Sequence, residues 1–243
     1  MAEQRLLRFE DRAGLVGAAA GRLLDEMCAR QTAGRTVSLC LTGGTLAGEV
    51  YDELARQAPV SALRAGEIEL WWNWDYFVAT DNPDRNSLQA LSRLAGVLPF
   101  DPAKIHPIPS SSVTSDPEAG AAQYAQELRE TRRIDICLLE LGEAGQVAGL
   151  FPGHPYGPSD TLVAGLSDAP LAHPQVVTMT PAGLAMCRQV WILATGEAVA
   201  GHVKAGVGLH CNLPSADLSA TKSVLWLVDA AAASELPFHH CTL

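Results

Sequence analysis

Short apolar runs that alternate with amphipathic stretches predict a three-layer α/β protein, in which helices cover both faces of a mostly parallel sheet. Residues 36–41 and 134–139 are the clearest runs, and both are apolar over most of their length, as expected of strands buried on both faces. Amphipathic segments with helical spacing lie between them. The 243 residues suit one such domain, and no Pro- or Gly-rich block divides them. We therefore expect a single domain over residues 1–243.

The remaining elements follow the same alternation along the chain. Further strands are predicted at residues 68–72, 175–179, 190–194 and 224–228. Helices are predicted at residues 46–58, 87–94, 117–130 and 197–205, with an alanine-rich helix after the last strand. Ligands of such folds bind at the carboxyl ends of the strands, so the residues after positions 41, 72, 139 and 194 are the place to seek function.

Composition and charge narrow the classes of partner. The formal net charge of −10 gives no general attraction to nucleic acid or to an anionic membrane. The apolar runs are shorter than the ~20 residues that span a bilayer, and the first residues lack the pattern of a signal peptide. We expect a cytoplasmic protein with no nucleic-acid or membrane partner, and its oligomeric state stays open.

The cysteines and histidines give no signature of a metal or redox site. No pair of the six cysteines has C-x-x-C spacing, and those at positions 40, 137 and 187 lie in or beside apolar runs, as small core residues do. The His239-His240 pair lacks ligand partners at usable spacing and is interpreted as a terminal feature. We therefore predict no metal and no cofactor.

The first candidate loop, Thr42-Gly43-Gly44-Thr45, follows the first predicted strand. Two adjacent glycines let the backbone turn tightly and approach a ligand without a Cβ in the way. The helix expected there directs unpaired N–H groups and the positive end of its dipole at the same point. The loop is a candidate anion-binding turn, although it lacks the lysine of a P-loop, and a plain strand-to-helix connection is the alternative.

The second candidate loop follows position 72 and mixes aromatic with polar side chains. Asp75, between Trp74 and Tyr76, is a candidate acid or base. Arg85 is a candidate clamp for a phosphate or carboxylate, and Asn86 lies beside it. The alternative is a solvated turn that ends in a cap for the following helix.

The third candidate loop, residues 142–155, contains four glycines and two prolines after a core strand. A loop of this composition indicates a shaped and functional turn. His154 is a candidate base, with an ordinary surface histidine as the alternative.

In this order, the three loops resemble the 6-phosphogluconolactonase family, which is related to the glucosamine-6-phosphate isomerases. Residues 42–47 resemble its S-G-G-S-T-P, residues 72–81 its W-G-D-E-R-x-V-P-x-D, and residues 142–152 its G-x-D-G-H-x-A-S-L-F-P. Residues 177–196 resemble a strand, helix and strand that end in T-G, and Leu213-Pro214-Ser215-Ala216 resembles a late L-P-A. The resemblance runs roughly from residue 36 to residue 232 and implies the fold of that family.

The resemblance also implies a lactonase that works without metal, in which a loop histidine acts as general base on water. The glycine loop and basic side chains would hold the phosphate of the substrate. At the histidine position this chain has Gln146, and at the neighbouring aspartate position it has Ala144. An amide cannot accept a proton at neutral pH, so Gln146 could orient a water but could not be its base.

Two further departures remove positive charge. Tyr76 stands at the position of a family arginine, and Val199 stands where a lysine is often found. Trp74 and Tyr76 replace charge with aromatic surface, which suits an apolar or stacked ligand. Arg85 could supply the missing cation.

Two functions therefore stay open. The protein could hydrolyse a sugar lactone or sugar phosphate lactone with an altered site, with Asp75, Gln146 and His154 as candidate catalytic residues. It could instead be an inactive or repurposed member that binds a different small ligand or a partner protein. An open pocket at the glycine loop lined by Gln146 and Arg85 would favour a small ligand. A pocket filled by Trp74 and Tyr76 would exclude a sugar phosphate.

Overall fold

A computed structural model describes residues 3–131, 133–208 and 223–237. Its strands form two sheets. The strands are β1 (Glu3–Phe9), β2 (Val37–Leu41), β3 (Ile68–Trp72), β4 (Trp74–Tyr76), β5 (Ile105–His106), β6 (Ile134–Glu140), β7 (Val163–Leu166), β8 (Val176–Met179), β9 (Cys187–Ala194) and β10 (Ser223–Asp229).

The larger sheet has seven parallel strands in the order β1-β10-β9-β6-β2-β3-β5. Every residue of β2 is buried, and successive residues of a strand face opposite sides, so both faces of the sheet are covered. The predicted fold class is thereby confirmed. The next strand along the chain, β3, is added on one side of β2, whereas β6 is added on the other side of β2, next to β9. The direction in which strands are added therefore reverses at β2. The crevice where ligands bind in such sheets therefore lies between the carboxyl ends of β2 and β6.

Six helices are present in the described part of the chain: α1 (Arg12–Thr32), α2 (Thr45–Gln57), α3 (Asn86–Leu94), α4 (Pro117–Glu130), α5 (Pro181–Leu184) and α6 (Ala200–Val207). Asp11 and Asp116 cap α1 and α4, because their carboxylates accept N–H groups of the first turn. In contrast, the N-cap residue of α2 is Gly44, which offers no side-chain cap. None of the described helices combines the length and the apolar character needed to cross a bilayer.

The smaller sheet, β4-β8-β7, is antiparallel and was not predicted from the sequence. Trp74 lies opposite Thr178 in this sheet, so the second candidate loop packs beside β8. Asn73 connects the two sheets: its carbonyl accepts the N–H of Met179 at 2.7 Å, and its amide donates to the Leu138 carbonyl at 2.6 Å. These bonds fix where the second loop stands relative to β6.

Buried thiols lie in three of the central strands. Cys40, Cys137 and Cys187 are all buried and free, which confirms their interpretation as small core residues. In the register of β2 and β6, Cys40 is opposite Cys137.

The expectation of an alanine-rich helix after β10 is wrong for the described residues, because residues 230–236 form turns. Asp229 accepts the N–H of Ala232 at 2.7 Å and also binds the N–H of Gly196, which fixes the chain as it leaves the strand. Pro237 then disfavours helical geometry in the residue before it. The segment 213–216 and the His239-His240 pair lie outside the described residues.

Candidate active site

A cleft of about 100 Å³ opens at the crevice between β2 and β6. The loops after these strands and the start of β4 line it. The lining residues are Gly43, Gly44, Trp74, Glu140, Gly142, Gln146, Val147, Ala148, Gly149 and Leu171. Four of the residues predicted from the sequence (Gly43, Gly44, Trp74 and Gln146) therefore meet in one place.

The glycine loop needs both of its glycines for close packing. A Cβ on Gly43 would lie 1.9 Å from Oδ1 of Asn86, and one on Gly44 would lie 2.1 Å from Oε2 of Glu140. Gly44 also has a φ of 130°, which side-chain-bearing residues rarely adopt. Thr42 is buried, and its backbone N–H and carbonyl both bond to the Tyr51 hydroxyl. These two hydrogen bonds fix the start of the loop to α2.

Glu140, which the sequence analysis missed, provides the missing cap of α2. Its Oε2 accepts the N–H of Ala47 at 2.8 Å, at the point where the sequence predicted an exogenous anion. Burial raises the pKa of Glu140, although the N–H groups of Ala47 and Leu46 and the charge of Arg12 counter this. The signal in the sequence was a carboxylate at the end of a mostly apolar strand, beside a glycine-rich loop.

The Gln146 side chain folds back over its own loop. Its Oε1 accepts the N–H of Ala144 at 3.0 Å, and its amide lies so close to Gly142 that a Cβ there would be 2.0 Å from Nε2. Nε2 forms no hydrogen bond to another described residue, so it remains available as a donor in the cleft. Ala148 has a φ of 51°, and its carbonyl accepts the Thr178 hydroxyl, which secures the loop on β8.

Trp74 forms a wall of the cleft. Its ring rests on Gly149, where a Cβ would be 3.2 Å away, and it meets Tyr76 edge to face with 5.2 Å between centroids. Tyr76 does not line the cleft and contacts His173 in the same edge-to-face manner at 5.1 Å. The cleft is therefore narrowed by Trp74 but is not filled by the aromatic pair.

Asp75 and Arg85 form a buried ion pair away from the cleft. Asp75 Oδ1 accepts the N–H of Asn86 at 2.7 Å, and its Oδ2 accepts the Ser87 hydroxyl at 2.7 Å and Nη2 of Arg85 at 3.0 Å. Arg85 also donates to the Ile108 carbonyl at 2.5 Å and borders a separate cavity of about 430 Å³. These contacts anchor the start of α3. The predicted roles of Asp75 in catalysis and of Arg85 as a ligand clamp are not supported by this placement.

His154, Thr45 and Asn86 do not line the cleft either. The Nε2 atom of His154 lies 3.3 Å from Oδ1 of the exposed Asp168. Thr45 is exposed and begins α2, while Asn86 packs behind Gly43 and donates to the Trp74 carbonyl at 3.1 Å. Asn86 thus positions the glycine loop and Trp74 relative to each other.

Arg12, at the start of α1, is the cation whose charge acts on Glu140. It binds Glu49 with two hydrogen bonds of 2.8 and 2.9 Å and donates to the Thr195 hydroxyl at 3.1 Å. Among the described residues that line the cleft, Glu140 alone has an ionisable side chain. Nowhere in residues 3–131, 133–208 and 223–237 is a group of His, Cys, Asp and Glu side chains arranged to hold a metal ion.

Fold and site together define an α/β protein with a glycine turn and a carboxylate at the reversal point of a parallel sheet. Residues 10–226 match the sequence profile of the glucosamine-6-phosphate isomerases/6-phosphogluconolactonase family. The chain belongs to this family.

Curated relatives agree with that assignment over almost the whole chain. A 6-phosphogluconolactonase of Streptomyces coelicolor is 33% identical, with 96% of this chain and 95% of the relative covered. The human 6-phosphogluconolactonase is 32% identical over 94% of this chain and 93% of its own.

Solved structures share the fold. The 6-phosphogluconolactonase of Trypanosoma brucei superposes with a TM-score of 0.82 at 21% identity, covering 98% of this chain and 100% of that one. The Thermotoga maritima 6-phosphogluconolactonase gives 0.81 at 20% identity, covering 93% and 100%. A monomeric glucosamine-6-phosphate deaminase also gives 0.81 at 20% identity, covering 95% and 99%.

Proposed function

We propose that the protein hydrolyses a sugar lactone in the cleft between β2 and β6, with an active site altered from that of the family. One observation carries the proposal: the cleft brings a carboxylate, Glu140, together with an amide donor, Gln146, under the glycine turn. The family membership and the 6-phosphogluconolactonase relatives support lactone hydrolysis as the reaction class.

Glu140 replaces the missing histidine as general base in this proposal. A water in the cleft gives a proton to the Glu140 carboxylate as its oxygen bonds to the lactone carbonyl carbon. The ring C–O bond then breaks, and the departing alkoxide takes the proton from Glu140, which leaves a hydroxy acid. A carboxylate whose pKa is raised by burial is a better proton acceptor than one in water, and this favours the role.

Gln146 supplies a hydrogen-bond donor to the developing oxyanion. Its Oε1 is engaged by the Ala144 N–H, so the side chain presents Nε2 to the cleft. A fixed donor of this kind lowers the barrier by stabilising charge that exists only in the transition state. The amide therefore acts on the substrate carbonyl rather than on the water proton.

The test is hydrolysis of phosphorylated and unphosphorylated gluconolactones by the purified protein, measured against the spontaneous background. We expect a rate above background, a loss of about 10²–10⁴-fold in Glu140→Gln, and a loss of about 10²–10³-fold in Gln146→Ala. Glu143→Gln is the matched control, because it removes an exposed carboxylate from the loop that follows β6. Its rate should stay at the wild-type value.

The second candidate function is non-catalytic binding of a different small ligand or a partner protein. It is favoured by the amide at the family's histidine position and by the small volume of the cleft. Absence of hydrolysis above background for both lactones would overturn the enzymatic proposal and favour this second function.

A further inference from the structure

The start of α2 is already occupied by an anion of the chain itself. This helix is 13 residues long and has no cap from its own first residues. Unpaired N–H groups at such a helix start are a ready site for a phosphate oxygen. Here Oε2 of Glu140 takes that position, 2.8 Å from the N–H of Ala47.

The carboxylate also occupies the space that a ligand would need. A Cβ on Gly44 would lie 2.1 Å from Oε2 and 2.8 Å from Oε1 of Glu140, so both oxygens lie against the backbone of the glycine turn. No room remains between this turn and Glu140 for a second oxyanion. The absence of a Cβ at position 44 thus makes room for the Glu140 carboxylate rather than for an external ligand.

The nearby charges reinforce this exclusion. Arg12 is engaged by both oxygens of Glu49, which offsets its charge. Its side chain is also 42% exposed, so water screens what charge remains. No Lys, Arg or His is among the described residues that line the cleft. A phosphate dianion would therefore approach a carboxylate whose charge is only partly compensated, by the Ala47 N–H and by Arg12, and like charges at contact distance repel strongly.

We infer that Glu140 determines ligand specificity by closing the anion site of the glycine turn against phosphate, so that the cleft accepts an uncharged, unphosphorylated lactone. The inference rests on the proposed function for the lactone, but the exclusion of phosphate stands on the contacts of Glu140 and the charges around it, independently of that function. Glu140 is thus a base towards the lactone and an occupant of the site that phosphate would use.

Binding of inorganic phosphate and of 6-phosphogluconate, measured by titration calorimetry, tests the exclusion. We expect no measurable binding by the wild-type protein and at least about tenfold tighter binding by Glu140→Ala, an amount that one opposed charge readily supplies. Glu140→Gln removes the charge but keeps the bulk and an acceptor for the Ala47 N–H, so it should fold and bind with intermediate affinity. Glu143→Gln, the matched control, should behave as the wild type does.

Two binding results would overturn the inference: phosphate binding by the wild type equal to that by Glu140→Ala, or no binding by either Glu140 variant. Lactone assays distinguish failure of the phosphate exclusion from failure of the proposed enzymatic function. If no variant hydrolyses a lactone but the Glu140 variants gain phosphate, the enzymatic proposal fails and the exclusion stands. If the wild type prefers the phosphorylated lactone, the exclusion fails and the enzymatic proposal stands.

Discussion

Gly44 and Glu140 are in contact at the start of α2, where the carboxylate caps the helix across the glycine turn. The glycine pair after β2 marked the turn in the sequence, because only such residues allow the backbone conformation found there. The carboxylate that fills the turn lies 96 residues further along the chain, and only the pairing of β2 with β6 brings it there. An anion-binding turn could be predicted from local sequence, but its occupant could not.

Replacing Gly44 with alanine should destabilise the protein by about 1–3 kcal/mol, because the φ and ψ of this residue fall in a region that is almost exclusive to glycine. The new Cβ would also displace Glu140 from the α2 N-terminus. Urea denaturation measures the change. Gly17→Ala is the matched control: a Cβ there contacts nothing, and the helical site should gain up to about 1 kcal/mol. Equal effects of the two substitutions would contradict the assigned role of Gly44.

The titration of Glu140 should make stability depend on pH. Burial raises the pKa of Glu140 in the native protein, so the native state keeps this proton to a higher pH than the unfolded chain does. The stabilisation is therefore present at acid pH and lost as pH rises through the raised pKa. Relative to Glu140→Gln, the wild-type unfolding free energy should decline as pH rises from the ordinary glutamate pKa of about 4.3 to the raised pKa of the native protein. A difference that grows over this range in urea titrations would refute the assignment.

At the scale of elements, α3 is attached to the rest of the protein through Asp75. From the sequence we predicted this helix almost to its ends. We expected its first residues to cap it and Arg85 to bind a ligand. In the structure, the Asp75 carboxylate both caps the helix and pairs with the arginine. It accepts the N–H groups of Asn86 and Ser87 and binds the Arg85 guanidinium. A capping carboxylate that lies in another element leaves no periodic pattern in the helix sequence. The contact between Asp75 and α3 therefore could not be predicted.

Asp75→Asn should cost about 3–5 kcal/mol of unfolding free energy, because it leaves the guanidinium of Arg85 buried without a counter-charge. The matched control is Asp52→Asn, which breaks an ion pair with Arg93 whose side chains are 55% and 39% exposed. Such a surface pair is worth about 0–1 kcal/mol. Thermal and urea denaturation of both variants give the comparison. A similar small loss in the two would show that Asp75 does not anchor α3.

For the whole molecule, the alternation of strands and helices was enough to predict the parallel sheet, because buried strands are recognisable as short apolar runs. The edge strands β1 and β5 and the small sheet were not recognised, since their residues are partly exposed or few. The prediction of a single domain stays open to experiment. Contacts of Asn73 and Trp74 with both sheets favour it.

Unfolding should therefore be a single cooperative transition. Four of the five tryptophans lie in the large sheet and Trp74 lies in the small one, so fluorescence responds to both. We expect the tryptophan signal and far-ultraviolet circular dichroism to change at the same urea concentration. Two separated transitions would show that the small sheet melts independently.

The rates at which the buried thiols in the centre of the sheet react with a thiol reagent would report the order in which the strands separate. Burial raises the pKa of the Cys40 thiol, so it stays protonated and poorly nucleophilic while the strands are paired. A thiol reagent can reach Cys40, Cys137 or Cys187 only after the strand that carries it has separated from its neighbours. Labelling times, read peptide by peptide by mass spectrometry, would thus rank the openings of β2, β6 and β9 without any engineered probe.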